Sequence, residues 1–151
     1  MSAEENKAII LRGAEVEAKE GPQAGVALFE AMCDPACTFP DLAFYGLPPT
    51  FEGYKQFMSG ALGAFSDASG TLEEIVAEGD IVMTWSNLRV THVGPWRNIP
   101  ATNKQVSFRV VDLYRFAQGK VIEYRFLYDT FSLLQQIGAI PGLGQVAKEV
   151  G

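Results

Sequence analysis

Along the first 65 residues apolar side chains recur at spacings of three and four, and from residue 71 onward they alternate with polar ones. The first spacing belongs to helices, the second to strands with one buried face. A helix is predicted over residues 3–19, with Ala8, Ile9, Ile10 and Val16 on its apolar side. Ser2 and Glu5 have the spacing of a capping box, which ties off free N–H groups at a helix start. PQAGVALFEAM (22–32) reads as a second helix opened by proline. CTFPDLAF (37–44) reads as a short strand interrupted at Pro40, and YGLPPT as a loop. In FEGYKQFMSGALGAF (51–65) the spacing of Tyr54, Phe57, Met58, Ala61, Leu62 and Phe65 predicts a third helix.

Strands are predicted over 71–79, 80–93, 105–117 and 120–130, with a loop at 94–104. Gly79-Asp80 and Gln118-Gly119 carry turn chemistry between neighbouring strands. The tail FSLLQQIGAIPG reads as a short helix stopped by glycine and proline. Helices first and antiparallel strands afterwards specify one α+β domain across residues 1–151. Three N-terminal helices pack on a curved antiparallel sheet, a half-open cone whose concave face can hold a pocket.

Composition narrows the partners. Apolar residues make up 48% of the chain and charged residues 20%, the balance of a folded domain. The net charge of −6 and the lack of a Lys/Arg cluster argue against nucleic acid or an anionic membrane. The start MSAEENKAII lacks a signal-peptide pattern, and no apolar run approaches the roughly 20 residues of a membrane span. Cys33 and Cys37, in CDPAC, are expected as reduced thiols of a cytoplasmic protein. With His92 the only histidine, neither a metal site nor another cofactor is expected.

Several segments together carry a family resemblance. They are FEGYKQF after a proline-rich loop, VAEGDIVMTWSNLRVTHVG, NIPATNKQVSF, VDLYRFAQGKVIE and DTFSLLQQIGAIP. Their order resembles the cone-shaped family of nuclear transport factor two and, within it, the SnoaL-like polyketide cyclases of secondary metabolism. The resemblance implies a hydrophobic small-molecule substrate and a homodimer formed through the convex sheet face. It also implies a motif Glu-His-Trp-Asp-x-x-Asp after the last hairpin, in which the inner Asp moves protons. This chain instead reads Glu123-Tyr124-Arg125-Phe126-Leu127-Tyr128-Asp129, so Phe126 stands in the place of that acid.

Strand parity supplies a substitute. A hairpin at 116–120 closed by a glycine bulge would place Asp112 beside Tyr124. One face then carries Phe108, Val110, Asp112, Tyr114, Ile122, Tyr124, Phe126 and Tyr128. The other carries Val111, Leu113, Val121, Leu127 and the charges Arg109, Arg115, Glu123, Arg125 and Asp129. The aromatic face is assigned to the pocket, with Tyr45, Tyr54 and Met83 also contributing. A plain two-residue turn would flip one strand and overturn this assignment.

Asp112 among rings should have a raised pKa and can act as acid or base near neutrality; equally, it can be a core acid fixed by Tyr124 or Trp85. Trp85 and Asn87 are the expected donors to a carbonyl or enolate oxygen, with core packing the alternative for Trp85. His92 is read as a rim or satisfied histidine, Asp41 as turn chemistry and Asp129 as the cap of the tail helix. The expected function is cofactor-free cyclisation or isomerisation of a hydrophobic, oxygenated polyketide-like substrate. The alternatives are a binding or accessory protein that lost the chemistry, and an epoxide hydrolase of the limonene epoxide hydrolase type.

Overall fold

A computed structural model describes residues 2–142. Helix α1 spans Ala3–Glu20, and Ser2 and Glu5 close the reciprocal capping box at its start. The chain turns at Gly21, with φ at 94°, and Pro22 opens α2 (Pro22–Met32). Strand β1 (Cys33–Thr38) follows at once, then a 3-10 turn over Pro40–Tyr45 and helix α3 (Phe51–Ala64). The early strand therefore lies upstream of the predicted 37–44, and Pro40 starts the 3-10 turn instead of interrupting a strand.

Strands β2 (Phe65–Glu78), β3 (Ile81–His92), β4 (Gln105–Ala117) and β5 (Lys120–Tyr128) make the sheet, and α4 (Thr130–Gln136) closes the tail. The order is β1-β5-β4-β3-β2. The sheet is antiparallel except at one edge, where β1 runs parallel to β5. Mixed helices and a curved, unclosed sheet give the expected α+β cone. The single-domain expectation for residues 143–151 lies outside the described residues.

The β4–β5 hairpin decides the pocket's walls. Ala117 pairs with Lys120, leaving Gln118 (φ 50°) and Gly119 (φ 77°) as a two-residue turn of mirror-image type. Taken alone, this turn would turn the aromatic side of β5 outward. A bulge reverses the flip: Phe116 pairs with Val121 and Arg115 with Glu123, so Ile122 is the extra residue. Tyr124, Phe126 and Tyr128 therefore still share a face with Phe108, Val110, Asp112 and Tyr114. The faces agree with expectation but the register does not: Tyr114 pairs with Tyr124, Asp112 with Phe126 and Val110 with Tyr128, so Asp112 lies diagonal to Tyr124 and not opposite it. Val121, assigned to the outer face, is fully buried, and it takes the inward place given to Ile122.

Aromatic rings fill the space between the helices and this face. Phe29 of α2 meets Tyr124 edge-on at 5.0 Å, and Phe39 stacks on Tyr54 at 5.5 Å. Each buried ring of this size contributes about 1.5–3 kcal/mol by leaving water. A second cluster forms where α4 seats Leu133 and Ile137 on Val90, Val106 and Phe108. Asp129 caps α4 by accepting the Ser132 N–H at 3.1 Å. No helix among the described residues is long and apolar enough to cross a membrane.

Candidate active site

Between α1, α2 and the inner face of the sheet lies a cavity of about 460 Å³. Ile10, Val26, Phe29 and Met58 line its helical side, and Thr84, Val110, Asp112, Tyr114, Tyr124 and Tyr128 its sheet side. Tyr54 of α3 also borders it. Exposed Glu17 and Ala18 on α1 and Ala68–Gly70 on β2 mark the rim.

Asp112 pairs directly with Phe126 in the ladder, but its carboxylate is served from the diagonal position. Tyr124 Oη donates to Asp112 Oδ1 at 2.6 Å. That is the short length typical of a hydroxyl bound to an ionised carboxylate. Thr84 Oγ1 donates to Oδ2 at 3.4 Å, a long and weak contact. Burial favours the neutral acid, while the two donors favour the charged one. Burial wins: the carboxyl is pushed up from 3.8 to about 6. A carboxyl at that value is populated in both forms near neutral pH, as general acid–base work requires.

The phenols behave in the opposite sense. Burial first, and the Asp112 charge second, push Tyr114 and Tyr124 well above the ordinary tyrosine value, and Tyr54 likewise rises. Burial also raises Tyr128. These groups stay protonated and keep an O–H to donate. The hydroxyls of Tyr54, Tyr114 and Tyr128 have no protein partner among the described residues, so they are free to meet a ligand oxygen.

The pairing of β3 with β4 corrects the expected oxyanion donors. Thr84 lies opposite Asp112, which places Trp85 opposite Val111 and Asn87 opposite Arg109. Trp85 thus belongs to the convex face, where it is 43% exposed. Asn87 accepts from the Ser107 hydroxyl at 3.3 Å on that same parity, although the residue borders the cavity. Met83 also falls on the convex parity and is exposed. A one-residue offset in register moved Trp85 and Met83 off the cavity, because side chains alternate faces; Asn87 shares their parity yet still borders it.

Three more expected lining residues lie beyond the cavity wall. Phe126 is buried, stacked with Tyr45 at 6.0 Å and tilted against Tyr128 at 5.2 Å. Phe108 belongs to the α4 cluster. Tyr45 borders a separate groove with Phe57 and Trp96, where the Arg97 guanidinium sits 4.6 Å from its ring centroid. The sequence reading missed Thr84 and Glu17. Thr84 was legible in the alternation with Trp85; Glu17 on an exposed helix face gave no signal.

Asp41, His92 and the cysteines have structural partners. Beyond the end of β1, Asp41 Oδ2 accepts the Phe126 N–H at 2.9 Å, continuing the edge of β5 where the ladder stops. His92 is fully buried, and its Nδ1 accepts the Thr102 N–H at 3.3 Å, pinning the 94–104 loop. Cys33 and Cys37 are buried and unpaired, and their mutual contact together with burial holds the Cys33 thiol above its ordinary value. Among the described residues no three His, Cys, Asp or Glu side chains converge as a metal-ligand set.

Over residues 20–137 the sequence matches the family model of SnoaL-like polyketide cyclases. No curated protein matches the chain in sequence. Solved structures share its fold. AclR of Streptomyces galilaeus, described as a proposed hydroxylase, superposes with a TM-score of 0.76 at 23% identity, over 99% of this chain and 90% of that one. A proposed SnoaL-like polyketide cyclase from Jannaschia sp. CCS1 gives 0.75 at 20% identity, over 92% and 95% of the two chains. IdmH of Streptomyces antibioticus, a proposed polyketide cyclase, gives 0.70 at 20% identity, over 88% and 98%.

Proposed function

The chain belongs to the SnoaL-like polyketide cyclase family, and from that premise we propose that it is an acid/base enzyme for an apolar, oxygenated polyketide-like substrate. The reaction is enolisation followed by intramolecular aldol ring closure, or by isomerisation, and it uses no cofactor. One observation carries the reading: Asp112, held by Tyr124 at 2.6 Å, borders a ring-lined cavity with its carboxyl at about 6.

The chemistry follows from that placement. The Asp112 carboxylate takes a proton from the carbon next to a ligand carbonyl, and the C–H electron pair moves into an enolate. A phenol hydroxyl of Tyr54, Tyr114 or Tyr128 donates to the developing oxyanion. The enolate carbon attacks a second carbonyl of the same molecule, and the resulting alkoxide recovers the proton from Asp112. Tyr124 keeps the carboxylate oriented throughout. Trp85 and Met83 have no part in these steps.

The test is exchange of the α-protons of β-tetralone in deuterium oxide, followed by proton NMR. Wild-type protein accelerates exchange, and Asp112→Asn lowers the acceleration by about a hundredfold or more. Equal acceleration in both proteins overturns the proposal. A second reading, a binding protein, is favoured by Phe126, which fills the family acid's place with a ring stacked on Tyr45. Ligand-induced rise in melting temperature without any exchange would support it. We also propose a homodimer through the convex face and a cytoplasmic location, whichever of the two readings holds. Exposed Trp85 and Leu127 support the dimer, and the two free cysteines the location.

A further inference from the structure

The cavity holds a second acid with no role in the steps above. Glu17 sits on α1 at the rim and lines the same space as Asp112. Its carboxylate makes no hydrogen bond or ion pair among the described residues. Its stem lies against Gly25 of α2: a Cβ at position 25 would stand 2.9 Å from Glu17 Cγ and 3.0 Å from its Cβ. Glycine at that position lets the glutamate run between the two helices. Although Glu17 as a residue is exposed, the protein atoms packed around its carboxyl displace part of its hydration and raise its proton affinity, and its charge adds to the rise at Asp112.

The lining contains no Lys, Arg or His among the described residues. Two carboxylates thus face one hollow with no counter-ion from the protein. An anionic ligand would add a third like charge to the same hollow. A cationic ligand would supply the missing partner, and the faces of Phe29, Tyr54 and Tyr114 attract positive charge as well.

We propose that the cavity's ligand carries a protonated amine on an apolar ring system, and that the Glu17 carboxylate receives that amine. This rests on the cavity being the ligand site. It assigns the substrate class: a basic nitrogen substituent at the rim, with the enolisable ring carbonyl inside near Asp112.

Three matched probes test it by calorimetry: naphthylmethylamine, naphthylmethanol and naphthoate. Wild-type protein should bind the amine about tenfold or more tighter than the alcohol, the value of one charge-assisted hydrogen bond. Naphthoate should bind weakest. Glu17→Gln should bring the amine to the alcohol's affinity and leave the alcohol unchanged. Gly25→Ala, which displaces the Glu17 stem without removing its charge, should also weaken the amine selectively. Equal binding of amine and alcohol in wild type, or a preference that survives both variants, overturns this proposal and leaves the proposed reaction standing. If none of the three probes binds, the cavity is not a ring-binding site and both proposals fall together.

Discussion

Tyr124 and Asp112 face each other diagonally across β4 and β5, phenol to carboxylate, at 2.6 Å. The bond joins two groups whose proton affinities burial has pushed upward together. Asp112 reaches about 6, while Tyr124 moves well above the ordinary tyrosine value. The proton on Tyr124 therefore stays put, and the carboxyl is the group that titrates near neutrality.

That rise makes Asp112 a cost to folding. An acid with a raised folded-state pKa binds its proton more tightly in the native state than in the unfolded one. Stability from this group is unaffected below the unfolded value of 3.8, falls as pH rises, and is lowest above about 6. The full cost is about 3 kcal/mol. Asp112→Asn removes it, so the variant's stability advantage over wild type should grow between about pH 4 and about pH 7 and then level off. Urea midpoints across that range check the sign; a variant less stable than wild type at the upper end contradicts it.

Asp41 is expected to matter for stability through its oxygen and not its charge. Asp41→Ala leaves the Phe126 N–H without its acceptor and should cost about 1–3 kcal/mol. Asp41→Asn keeps an acceptor oxygen and should cost much less. The Arg125 guanidinium, 3.8 Å away and 55% exposed, adds little. Loss of tetralone exchange in a well-folded Asp41→Asn protein would instead make Asp41 the base.

The convex face presents Met83, Trp85 and Leu127 to solvent. Trp85 and Leu127 both flank Val111 across neighbouring strands, making a continuous apolar row. Light scattering after size-exclusion chromatography should show a dimer for wild type and a monomer for the double variant Trp85→Glu, Leu127→Glu. Binding of neutral ring probes in the cavity should be unchanged. A monomeric wild type, or loss of probe binding in the double variant, would contradict the placement of this face.

Helices and strands were legible in the chain because their periods differ, and the Ser2–Glu5 box marked α1 to within a residue of its start. The start of β2 was not. SDASG after Phe65 is small and mostly polar, yet the segment pairs along the far half of β3, with a bulge near Asp67 (φ 53°). Only the long partner strand makes that segment a strand. The inner face of β4 and β5 was read from its rings, although the hairpin itself was misjudged. The Ile122 bulge undid the flip that the two-residue turn imposed, and nothing local to Val121-Ile122 announces it. Register between β3 and β4 was not legible either. The 94–104 loop joining them sets no fixed offset, so Trp85 was given the place that Thr84 holds.

The most direct measurement is a carbon-13 NMR titration of the Asp112 side-chain carboxyl in wild type, with Tyr124→Phe as comparison. An inflection raised to about 6 is expected in wild type. It should move higher in the variant, because the phenol's hydrogen bond favours the charged form. A wild-type inflection at the ordinary aspartate value, unchanged in the variant, would mean that the carboxyl is neither buried nor held by Tyr124, and would contradict the account.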